Sequence, residues 1–171
     1  MRSATGSGLP VTVIVDYEQP RYSNVSLQAM RDELQSLLNP VGLKIDLLTR
    51  NAVAPDRQFG ELMVFKMKGH CTMDEWPVDA LSDERGPLAM AYSSDGEVLS
   101  FGVVECDRVR ECLQRVLGKG NPNQYQSALG TALGVVLAHE MYHMMSNSAK
   151  HTKEGVTKES FSGRDLLAGH L

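Results

Sequence analysis

Apolar positions along the chain switch between a two-residue and a helical period, and the switches mark out the elements. Leu9 to Tyr17 (LPVTVIVDY) puts Val11, Val13 and Val15 on one face of an extended segment and Ile14 on the other. Apolar groups on both faces predict a strand inside a sheet. From Ser23 to Leu38 the period becomes helical: Leu27, Met30, Leu34, Leu37 and Leu38 form the stripe, Ser26 is the expected N-cap, and Asn39-Pro40 stops the helix. Gly42 turns the chain into a second alternating strand, Leu43 to Leu48. Strand, helix and strand with short joints predict a right-handed crossover and two parallel strands.

After a polar loop at 51–60, Glu61 to Lys68 (ELMVFKMK) reads as a third strand. Residues 69–87 form a long irregular stretch with Trp76-Pro77, and a loop of that length is expected to be functional or tethered. Leu88 to Tyr92 and Glu97 to Val104 read as a hairpin around the Asp95-Gly96 turn signal. Asp107 is the expected cap of a helix carrying Val109, Cys112, Leu113, Val116 and Leu117, ended by Gly118. Pro122 and Asn123 open a long helix in which Ala128, Leu129, Ala132, Leu133 and Val136 recur at helical spacing. Ser162 with Asp165 starts a short last helix holding Leu166 and Leu167. The expected class is α+β: a mixed, twisted β-sheet with a backing helix and a second, long apolar helix.

Composition narrows the function. The chain has 171 residues, enough for one domain, expected at 9–171 behind a flexible leader at 1–8 that resembles an addition made for expression. A net charge of -4 with 22% charged residues argues against nucleic acid or an anionic membrane as partner. No apolar run approaches the roughly 18 residues of a membrane span. Three cysteines are too few for a zinc site of four thiolates. Cys112 lies on an apolar helical face and reads as a buried thiol. Cys71 and Cys106 both sit at strand–loop junctions, and a bridge between them would imply an oxidising compartment. A secreted or periplasmic location is expected, with the native signal peptide absent from this sequence. Nothing in the sequence specifies an oligomeric state.

The chemistry lies in the long helix, which contains H-E-x-x-H as His139, Glu140 and His143. A helix turns about 100° per residue, so the two histidines share one face, on or at the margin of the buried stripe, and can point two imidazoles at one ion. Glu140 is offset by one residue, where it reaches a water on that ion without being a ligand. It is the only charged residue from Gln124 to Asn147, and an isolated charge in an apolar helix is unfavourable without a partner. A catalytic zinc needs a third protein ligand. His151, Glu154, Glu159, Asp165 and His170 follow His143. Zinc's affinity for imidazole and the short closing loop favour His151, and Glu159 is the alternative because some zinc peptidases use two His and one Glu.

The element order together with His139-Glu140-x-x-His143 and a later His resembles the zincin fold, and within it the metzincin clan. His151 follows His143 by eight residues, Ser146 stands where the pattern H-E-x-x-H-x-x-G-x-x-H has Gly, and no methionine follows Met145. The resemblance implies one zinc per chain held by His139, His143 and His151, with Glu140 as general base. It also implies a peptide or protein substrate. The function expected is therefore a zinc-dependent metallopeptidase. The alternative is a zincin-fold protein that binds zinc with little or no catalysis and acts as an interaction module; a metal-dependent amidase is a further rival. The strand at Leu88 to Tyr92 or its hairpin partner would bind substrate backbone as an added strand. Tyr142 and Tyr92 are candidate oxyanion donors, although Tyr142 also suits packing on the helix flank. Met141, Met144 and Met145 read as packing.

Overall fold

The structure is a computed structural model that describes residues 10–73, 86–147 and 161–168. Its strands are β1 (Val11–Tyr17), β2 (Ile45–Thr49), β3 (Glu61–Lys68), β4 (Ala89–Ser94) and β5 (Glu97–Glu105). Its helices are α1 (Asn24–Leu38), α2 (Cys106–Gln114), α3 (Pro122–Ser146) and α4 (Gly163–Leu166). The expected leader at 1–8 and residues 74–85 of the long loop lie outside the described residues.

The five strands form one mixed sheet in the order β2-β1-β3-β5-β4. β1 pairs in parallel with both β2 and β3, which explains why its apolar residues occupy both faces. β5 runs parallel to β3, and β4 closes the sheet as an antiparallel edge. Asp95 (φ 52°) and Gly96 (φ 81°) both take left-handed backbone at the hairpin turn, the conformation that a two-residue loop needs to match strand twist. The α+β class with a mixed sheet is thus observed.

Two helix starts differ from expectation. Ser23, not Ser26, caps α1: its backbone is extended and its Oγ accepts from the Ser26 N–H at 3.3 Å. A cap must stand outside the helix, and Ser26 is instead buried within it, against α3. α2 starts directly from the last residue of β5, so Asp107 falls in its first turn rather than at the cap. The Asp107 carboxylate is used elsewhere, accepting from the His70 N–H at 3.2 Å and from Arg110 at 3.2 Å.

The core is built between the inward face of the sheet (Val13, Val15, Met63, Phe65, Met67) and the pair α1 and α3. The two helices meet at a small-residue ridge, Gly130 and Gly134, one turn apart. A Cβ on Gly130 would lie 2.1 Å from the Ser26 carbonyl oxygen and 2.7 Å from the Ala29 Cβ. One on Gly134 would lie 2.8 Å from the Glu33 Cβ. Backbone cannot yield as a side chain can, so Gly130→Ala must push the helices apart. Overpacking of this kind outweighs the roughly 1 kcal/mol gain in helix propensity. The expected net loss is about 2 kcal/mol, read as a lower urea midpoint at unchanged slope. A variant as stable as the parent would show that the helices do not cross this closely.

Cys71 and Cys106 form a disulfide, as the sequence suggested. Cys112 is the free cysteine and is half-buried rather than fully enclosed. Burial nonetheless raises its thiol pKa. Among the described residues no helix is long and apolar enough to cross a membrane.

Candidate metal centre

α3 is set by its ends and by its burial. Asn121 accepts from the Gln124 N–H at 2.9 Å, and the Gln124 Oε1 accepts from the Asn121 N–H at 3.0 Å, a complete capping box ahead of Pro122. Asn147 closes the helix in left-handed backbone (φ 50°). Every residue from Leu129 to Met141 is buried. The middle of the helix is therefore enclosed all round, and the two histidines are buried with it. A helix apolar on all sides belongs in the interior, where it loses its amphipathic signal.

His139 and His143 are each 7% exposed, and Glu140 between them is 5% exposed. Their spacing brings the two Nε2 atoms within 3.1 Å, with the rings edge to face at 4.6 Å. A tetrahedral zinc with Zn–N bonds of about 2.0–2.1 Å sets two ligand nitrogens about 3.3 Å apart, so the pair fits such an ion. The same separation also suits an N–H···N hydrogen bond between neutral rings. Glu140 Oε1 lies 3.9 Å from His139 Nε2. Desolvation raises the Glu140 pKa, against the opposing effects of His143 and of a hydrogen bond from the Ala91 backbone N–H.

That Ala91 bond ties the edge strand β4 to the motif. Two further contacts dock the hairpin on the same half of α3. The Val98 N–H donates to Asn147 Oδ1 at 2.7 Å. Gly102 in β5 faces Met144, whose Cε lies 3.2 Å from where a Cβ would stand. On another side, the Phe161 ring meets His139 edge-on, at 5.3 Å and 89°. Asn at a helix end is a readable capping signal. The backbone donor at Ala91 and the aromatic contact of Phe161 left no such mark in the sequence.

The remaining candidates are distributed as follows. Tyr142 is half-buried, its ring tilted against His143 at 5.5 Å, on the flank of the helix. Tyr92 is exposed and stacks on Phe101 at 5.2 Å. Met141 and Met144 are buried in the core, whereas Met145 is 43% exposed and does not pack there. Asp165 accepts from the Ser162 N–H and hydroxyl at 2.8 and 2.9 Å, within the cap of α4. His151, Glu154, Glu159 and His170 lie outside the described residues. Among the described residues no three His, Cys, Asp or Glu side chains are grouped so as to hold a metal. Comparison with family models, curated proteins and solved structures found no match to this chain.

Proposed function

We propose that the chain is a zinc-dependent metallopeptidase of the zincin type, working in a secreted or periplasmic setting. The observation that carries this reading is the buried His139–His143 pair, its Nε2 atoms 3.1 Å apart, with Glu140 alongside. His139 and His143 are the two helical ligands and His151 is the third, with Glu159 as the alternative. Zinc held there would supply a water of near-neutral pKa and Lewis acidity toward a substrate carbonyl. Glu140 takes up the proton of the attacking water at its carboxylate and delivers it to the leaving amine nitrogen. The Ala91 backbone N–H favours the charged form of that carboxylate, against the effect of its burial. The β4 edge offers backbone groups to an extended peptide.

One observation favours the alternative, a zinc-binding module without turnover. Glu140 is almost wholly enclosed, and a scissile carbonyl must reach it. The metal question comes first and is settled by elemental analysis. About one zinc per chain is expected in the parent protein and little in His139→Ala, His143→Ala and His151→Ala. Zinc retained in His151→Ala would transfer the third position to Glu159. A parent protein that stays metal-free in excess zinc would overturn the reading and leave the histidines as a hydrogen-bonded core pair.

A further inference from the structure

We infer that Phe161 is a positioning residue for the metal ligand His139; the inference rests on the metal-site reading above. An imidazole on a helix aims its Nε2 only if rotation about its side-chain bonds is stopped. His139 is stopped on two sides by rings almost perpendicular to its own: His143 at 4.6 Å and 85°, and Phe161 at 5.3 Å and 89°. His143 is a ligand itself and moves with the site. Phe161 comes from a separate part of the chain, and its backbone is anchored independently of the histidines. The next residue, Ser162, caps α4, donating to the Asp165 carboxylate from its N–H at 2.8 Å and its hydroxyl at 2.9 Å. Gly163 approaches the end of α2 so closely that a Cβ would lie 2.3 Å from the Cys112 carbonyl oxygen. Leu166 and Leu167 are buried in the core behind it.

This anchoring defines what the ring does. An aromatic side chain held by a fixed turn meets the imidazole with the two ring planes nearly perpendicular, a favourable geometry for two π systems. It also keeps water from that side of the ligand. Both effects restrict His139 to one orientation before any ion arrives, and pre-ordered ligands bind metal more tightly. Phe161 reaches His139 and brings no ligating atom of its own, so its contribution is to metal affinity and ligand geometry.

The test compares Phe161→Ala, Phe161→Leu and Leu167→Ala with the parent. Zinc affinity is read by competition with a chromophoric chelator, and ligand geometry by the visible absorption of the cobalt(II)-substituted protein. Phe161→Ala is expected to weaken zinc about tenfold and to shift or broaden the cobalt bands. Phe161→Leu fills part of the space without an aromatic edge and should fall between Phe161→Ala and the parent. Leu167→Ala loosens the same turn without touching His139 directly; it should lower the melting temperature while leaving the cobalt spectrum of the folded fraction unchanged. Parent-like zinc affinity and cobalt bands in Phe161→Ala would overturn the inference while leaving the zinc site standing. If Phe161→Ala does not fold, parent-like values in Phe161→Leu would overturn it in the same way. A parent protein that binds neither metal would instead remove the site itself, and with it any role for Phe161.

Discussion

Glu140→Gln is expected to lower peptide hydrolysis by about a thousandfold while zinc stays bound, the loss appearing in kcat with KM little changed. A positioned general base is worth about 10²–10⁴ in rate. Glutamine is the informative replacement because its carbonyl oxygen can still accept the hydrogen bond from the Ala91 N–H. It keeps the volume and the tie to β4 and removes only the proton acceptor. The substitution also relieves the unfavourable burial of a carboxylate, so the variant should be at least as stable as the parent. A rate drop with lost stability would point to a damaged fold, and an unchanged rate would remove Glu140 from the chemistry. A zinc-loaded parent that cleaves no member of a broad peptide panel would favour the zinc-binding module, in line with the enclosure of Glu140.

The elements most readable from sequence were those whose local pattern and tertiary environment agree. Glu61–Lys68 is a short apolar run bounded by charged residues, and β3 has those bounds, with Met63, Phe65 and Met67 buried on its inward face. The Asp95-Gly96 turn was legible because its two positive φ angles call for those residue types. Helix starts were less legible where several polar residues compete. Ser23 and Ser26 are equally good caps in isolation, and only burial of Ser26 beneath α3 separates them. Asp107 looked like a cap because nothing in the sequence shows that β5 runs into α2 without a joint. The motif named His139, Glu140 and His143 outright. Their surroundings could not be read the same way, because Ala91 acts through its backbone and Phe161 through a contact made only in the folded chain. The close crossing at Gly130 and Gly134 was likewise hidden, since glycine in a helix signals flexibility before it signals space.

Removing the Cys71–Cys106 bridge, in the double variant Cys71→Ser/Cys106→Ser, should cost about 4 kcal/mol of stability and about 10 °C in melting temperature. The bridge spans 35 residues. Closing a loop of that length removes chain entropy from the unfolded state, and the folded state already brings the two ends together. β3 and β5 are parallel neighbours with Lys68 opposite Glu105, so the cysteines that follow them meet without moving the sheet. Both are buried, which shields the bond from reductant until the region opens. The enclosed span includes β4 and β5, and so Ala91, Val98 and Gly102, the three points at which the hairpin docks on α3. Hydrogen exchange in the hairpin should therefore accelerate more than in β1 or α1, and the geometry around Glu140 should loosen with it. Cys112→Ser, which breaks no bridge, should change stability by less than about 1 kcal/mol. Reductant should lower the melting temperature of the parent and of Cys112→Ser but leave the double variant unmoved. Three titratable thiols in the denatured, unreduced parent would show that the bridge does not form, and would withdraw the main physical support for an oxidising compartment.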